Sequence, residues 1–262
     1  SDLLGIERVG IHDDFFALGG HSLLATRVVA RIRETLNSEL PLKTLFDHPT
    51  IARIAKQLAE TSGEAASTPL APRPASEPTP LSASQQRLWI LDQMEPGNVV
   101  YNIPWALRLR GPVNAAALQT AIDQLTARHE SLRTRFIASA GEPSQEVLPA
   151  VQLKLQQFDL GNAEPDRVRA ELTRLTQTPF ALNQLPLLQF TLLRLSEAEH
   201  ILHIVMHHII GDAWSTDVLL RDLAEFYNAA CANTVAELPL LPVQFGDYAT
   251  WQRTRLQEPA LQ

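Results

Sequence analysis

Met206-His207-His208-Ile209-Ile210-Gly211-Asp212-Ala213-Trp214-Ser215 is the stretch from which the rest of the chain is read. Before it, Leu202, Ile204 and Met206 alternate and so share one face of a strand. A persisting strand would put His208 on that face and His207 on the other. After it, Leu219, Leu223, Phe226, Tyr227 and Ala230 recur at helical spacing. The two histidines therefore stand where a strand gives way to a loop and then a helix. An imidazole held there reaches a cleft while its backbone stays fixed, and imidazole is the side chain that moves protons near neutral pH.

The surrounding chain has 262 residues, 45% hydrophobic and 19% charged, which suits one or two globular domains with a sizeable core. A net charge of -7 argues against a nucleic-acid partner, and the basic residues form no cluster that would hold a membrane surface. The single cysteine, Cys231, excludes an internal disulfide and a cysteine-rich zinc site. There is no signal-peptide pattern and no apolar run long enough to span a bilayer, so a cytoplasmic protein is expected.

Outward from the histidines, the chain divides by texture. Residues 1–61 read as helices and loops. Leu24, Val28, Ile32 and Leu36, with Ala25 and Val29, predict an amphipathic helix from Ser22; a short turn follows from Pro41 to Asp47. Thr50 is placed to cap a helix with Ile51, Ile54, Ala55 and Leu58 on one stripe. Residues 62–80 hold five prolines among alanines, serines and threonines, a composition that builds no core and predicts an extended linker. From Leu81 to Gln262, strands and helices alternate. Ser82 and Gln85 have capping-box spacing ahead of a helix. Tyr101 to Leu109 alternate as a half-buried strand, and Asn114 caps a helix through Leu118, Ile122 and Leu125. Strands are expected around Thr134–Ala138 and Leu188–Leu192, and a helix through Val168, Leu172 and Leu175. The fold class is thus multidomain: a small all-α bundle, then an α/β layered domain.

Two sites emerge. Gly19-Gly20-His21-Ser22-Leu23-Leu24 puts a serine at a helix start behind two glycines. It reads either as an ordinary N-cap or as a modified serine, whose phosphodiester would sit at the positive end of the helix dipole. The histidine pair reads either as one buried and one surface residue, or as chemistry. A metal is not expected, because neighbours on a strand point to opposite faces and no cysteine or carboxylate completes a set with His203 and His207.

Resemblance sharpens both. Asp13-Asp14-Phe15-Phe16-Ala17-Leu18-Gly19-Gly20-His21-Ser22-Leu23-Leu24-Ala25 resembles the carrier-protein signature of nonribosomal peptide synthetases. His207-His208-Ile209-Ile210-Gly211-Asp212 resembles the HHxxxDG motif of condensation domains, of the chloramphenicol-acetyltransferase-like superfamily. Leu81 to Trp89, Arg128 to Phe136 and Phe245 to Gln252 resemble three further motifs of that family, in the same order. The resemblance implies a peptidyl carrier domain over 1–61, its first helix truncated, and the N-terminal lobe of a condensation domain over 81–262. It implies 4′-phosphopantetheine on Ser22 and amide formation from a donor thioester and an acceptor amine. His208, with His207 beside it, is the catalytic pair, and His208 is the base or positioner of the amine. Asp212 becomes a structural residue paired with Arg133, and Trp214 a packing residue. The implied partners are a phosphopantetheinyl transferase, an upstream adenylation domain, a downstream acceptor carrier and a second lobe that completes the cleft.

Where the family has glycine after the aspartate, this chain has Ala213. A glycine there adopts φ > 0 or lets a pantetheine arm pass close to the backbone, so alanine is expected to strain the turn or narrow that path, and Ala213→Gly to preserve or raise activity. Two other readings stay open. One is a carrier with an epimerisation domain; the other is an inactive docking or recruitment module. A cyclisation domain is excluded, since aspartate would replace the histidines.

Overall fold

The computed structural model describes residues 4, 6, 8–36, 40–61, 69–74, 79–139 and 141–257. The chain splits into two units, Ser1–Pro69 and Leu70–Gln262. In the first, α1 (Ser22–Leu36), α2 (Leu42–Asp47) and α3 (Ile51–Thr61) surround the buried side chains of Ala25, Leu40, Leu45 and Ile54. Phe15, Val28, Val29, Ile32 and Leu58 pack around them. The stripe of α1 that turns inward thus runs through Ala25, Val28, Val29 and Ile32, while Leu36 is exposed. An apolar crevice of about 290 Å³ opens beside this core, between Leu4, Val9, Phe15, Val28, Leu45 and Ile54. Of the residues assigned to the end of a first helix, Ser1–Leu3 lie outside the described ones.

The second unit begins with β1 (Thr79–Pro80), α4 (Ala83–Met94), β2 (Asn102–Arg110) and α5 (Ala115–Arg128). Next come β3 (Thr134–Ser139), β4 (Glu142–Val147), β5 (Leu155–Asp159), α6 (Pro165–Thr176), β6 (Leu188–Ser196) and β7 (Glu199–His207). It closes with α7 (Ala213–Ala232) and α8 (Phe245–Gln257). The larger sheet runs β2-β7-β6-β5, and the smaller runs β1-β4-β3. All pairs are antiparallel except β5 with β6.

The period-2 rule sorts the larger sheet into two cores. Leu202, Ile204 and Met206 of β7, with Leu188, Phe190 and Leu192 of β6, meet Leu118, Ile122 and Leu125 of α5 and Leu223 of α7. On the opposite face Leu193, Leu195 and Ile201 meet Val168 and Leu175 of α6. This is a layered α/β lobe, and β7 is buried along nearly its whole length. The caps read from sequence are made: Ser82 and Gln85 exchange both bonds of a capping box, and Asn114 accepts from Ala117 N.

The linker expectation needs correction at its far end. Residues 62–68 and 75–78 lie outside the described ones, but Arg73 is built into the second unit. Its guanidinium bonds Asp247 and Glu130, each at 2.7 Å, and its backbone N donates to Asp247. Gly246 makes room for it, since a Cβ there would lie 2.6 Å from Arg73 Nη1. Thr79–Pro80 then pairs with β4. The second unit therefore starts near Leu70 rather than Leu81, because partners 57 and 174 residues away reach back to Arg73.

Candidate active site

β7 ends at His207, so the strand does not persist and His208 does not join the Leu202 face. The chain turns instead. His208 N donates to Tyr101 O at 2.9 Å, and Ile210 N to His207 O at 3.1 Å. Gly211 passes close to the core, where a Cβ would meet Met206 Cε at 2.6 Å. Asp212 then opens α7 as its N-cap, its carboxylate accepting from Ser215 N and Ser215 Oγ, both at 2.8 Å.

The two histidines divide the labour. His207 is 2% exposed, packed beside Tyr101 and Phe180. Its Nδ1 accepts from Ile209 N at 3.1 Å, so the neutral ring carries its hydrogen on Nε2. Burial, helped by the His208 ring next door, pushes its pKa down to about 4. Buried and bonded to Ile209 N, its ring supports the turn, and of the expected catalytic pair only His208 is exposed. His208 is exposed. Its Nδ1 lies 3.0 Å from Gly211 O. A carbonyl can only accept, so Nδ1 bears the hydrogen, and in the neutral ring Nε2 keeps the lone pair.

The expected partnership of Asp212 with Arg133 is also corrected. Asp212 is spent on the cap of α7. Burial opposes its charge, but the Ser215 bonds and the nearby His208 outweigh that and hold it below the usual carboxylate range. Arg133 donates to Leu148 O at 2.6 Å, lies 3.8 Å from Glu130, and leaves Nε buried without a hydrogen-bond partner. It straps the open end of the β3–β4 hairpin. Trp214, expected in packing, is 75% exposed at the start of α7. Ala213 is the first residue of that helix, and it is not among the described residues with positive φ. The turn strain expected of alanine is therefore absent.

Two features escaped the sequence reading. Asp222, fully buried on α7, binds Arg128 Nε and His129 Nε2, each at 2.9 Å, and Arg221 at 3.2 Å. This cluster ties α5 to α7. Burial drives His129 toward its neutral form more than Asp222 pulls it the other way. Gln85, buried in α4, donates to Ile209 O at 3.2 Å. Its sequence signal announced only the cap.

In the first unit, Ser22 is exposed at the first turn of α1, and Ala25 N donates to His21 O rather than to a serine cap. Gly19 adopts φ +92, open to glycine without strain. Gly20 has a packing reason: a Cβ would sit 2.4 Å from the Phe15 ring. An exposed hydroxyl on the positive end of a helix fits a phosphodiester, so Ser22 is suited to hold 4′-phosphopantetheine.

A condensation-domain model matches residues 75–262 and a phosphopantetheine-attachment-site model matches residues 1–58. The chain belongs to the condensation-domain family, joined to a domain that binds 4′-phosphopantetheine. It is 42% identical over 271 residues to one chain of the linear gramicidin synthase of Brevibacillus parabrevis, covering 100% of this chain and 4% of that relative. It is 40% identical over 258 residues to tyrocidine synthase 3 of the same organism, covering 98% and 4%. The chain thus spans a small fraction of these relatives. Among solved structures, the X-domain from teicoplanin biosynthesis superposes with TM-score 0.68 at 33% identity, over 74% of this chain and 43% of that one. The first condensation domain of the calcium-dependent antibiotic synthetase shares the fold, with TM-score 0.64 at 21% identity over 70% and 48%.

Proposed function

We propose that the chain works in nonribosomal peptide synthesis: Ser22 holds a donor acyl or peptidyl group, and the lobe that carries His208 joins it to an acceptor amine. The observation that carries this reading is the exposed His208, whose Nδ1 lies against Gly211 O and so, in the neutral ring, leaves Nε2 as the acceptor. When bound, 4′-phosphopantetheine supplies a thiol that holds the acyl group as a thioester. The residues do the rest. Nε2 accepts a hydrogen bond from the attacking nitrogen and can take the proton released as the C–N bond forms and the thioester C–S bond breaks, the proton passing in the end to the departing sulfur. The buried ring of His207, the Tyr101 carbonyl and the Asp212 cap hold the turn still meanwhile.

The partners proposed are a phosphopantetheinyl transferase, an adenylation domain that loads Ser22, an acceptor carrier, and a second lobe of chloramphenicol-acetyltransferase-like fold that closes the cleft. The much greater length of the relatives supports them. The test is condensation in the protein that carries this chain. His208→Ala lowers turnover roughly 10²-fold or more, with loading of Ser22 unchanged. Undiminished turnover refutes the reading. A second reading, a recruitment module without chemistry, draws on the likeness to an X-domain solved in complex with OxyB, at 34% identity. Amide formation by the intact protein excludes it.

A further inference from the structure

We infer that Gln85 is a positioning residue for His208, an inference that rests on the chemistry proposed above. The residue after His208 is held on both of its backbone groups by buried side chains. Ile209 N donates to His207 Nδ1 at 3.1 Å, and Ile209 O accepts from Gln85 Nε2 at 3.2 Å. The peptide plane between Ile209 and Ile210 is gripped at both edges, because Ile210 N also donates to His207 O. That plane links His208 to Gly211, whose carbonyl sets the His208 tautomer. A rotation of the plane would carry the carbonyl away from Nδ1 and free the ring.

Gln85 is suited to the task because its amide has nothing to spare. It is 3% exposed. Its Oε1 accepts from Ser82 N at 3.0 Å, closing the capping box of α4. Its Nε2 has two acceptors, Ile209 O and Gln145 Oε1, the latter at 3.3 Å. Gln145 in turn donates to Pro80 O at 2.7 Å. The amide is thereby fixed by α4, β4 and β1 together, and it hands that rigidity to a turn 124 residues away.

The isosteric Gln85→Glu separates the two duties. It keeps an acceptor for Ser82 N and loses the donor for Ile209 O. Ser82→Ala damages the same cap from its other end without touching the turn. In the protein that carries this chain, Gln85→Glu lowers kcat about ten-fold with KM unchanged, as misplacement of a positioned group does. Imidazole nitrogen NMR shows His208 losing its preference for the Nδ1–H form. Ser82→Ala leaves both within about two-fold, the reach of a cap lost away from the chemistry. The inference is overturned if Gln85→Glu keeps the tautomer and rate, or if Ser82→Ala matches its losses. Should Gln85→Glu not fold, Gln85→Met is read by the same criteria. If His208→Ala leaves condensation intact, the proposed chemistry fails, while the tautomer comparison still decides the role of Gln85.

Discussion

Two loop-to-helix junctions, one in each unit, present Ser22 and His208, the side chains proposed to carry the function, and they are built differently. Ahead of α1 the last residues are held by local bonds, Gly20 N to Phe15 O, Gly19 N to Phe16 O and Leu18 N to Asp14 O, and one long-range bond, Phe15 N to Pro49 O, ties the loop to its unit. Ahead of α7 the turn is held by long-range ones, from Tyr101 and Gln85, and by a buried histidine ring. A group that several enzymes must each approach is best left on an exposed junction held mainly by its own neighbours. A group that must meet a reacting atom within a fraction of an ångström needs the whole core behind it.

The largest effect expected from breaking this contrast is at Ser22. Ser22→Ala abolishes loading from coenzyme A by a phosphopantetheinyl transferase, read as the absence of a mass increase, while the fold is unaltered because the side chain is exposed. A residual mass increase would place the attachment elsewhere.

The second prediction concerns acid. His207 is neutral in the fold, with a pKa of about 4 against 6.5 unfolded. Between those values the unfolded chain binds the extra proton, so stability falls as pH drops from about 6.5 to about 4, by about 3 kcal/mol in total. His203 and His129, also lowered by burial, add with the same sign. All four tryptophans lie in the larger unit, so their fluorescence in urea titrations at pH 7 and pH 4.5 reads it. His207→Leu is less stable at pH 7 but flattens the pH dependence. An unchanged slope would remove the assignment.

A smaller effect is expected at Asp212. Asp212→Ala removes the α7 cap and costs about 1 kcal/mol in the same titration. Double substitution with Arg133→Ala sharpens the correction made above. The two losses add, within about 0.5 kcal/mol, because the side chains share no partner. Strong coupling would restore the pair. Smallest is Ala213→Gly, which lowers stability by a few tenths of a kcal/mol at the first helical position and leaves turnover unchanged. A gain in turnover would favour the strained-turn reading instead.

What the sequence made legible follows from range. The β2 alternation and the caps at Ser82 and Asn114 are signals written within a few residues and are found in place, while the α1 stripe is found turned toward Ala25 and Val29, with Leu36 outside it. Strands β4 and β5 left no such signal. Only Gln145 is buried along β4, and only Leu155 along β5, so neither shows an apolar alternation. The motifs marked His208 and Asp212 as residues of interest, and geometry then assigned their bonds. Gln85, Arg73 and Asp222 act through partners 57 to 174 residues distant, and no window on the chain contains both ends.

The clasp on Arg73 has a consequence for reach. Counted to Leu81, the tether after α3 would be 19 residues; counted to Arg73, it is 11. At full extension these lengths differ, about 65 Å against about 40 Å. The ion pairs of Arg73 with Asp247 and Glu130 thus decide where the segment between the two units ends.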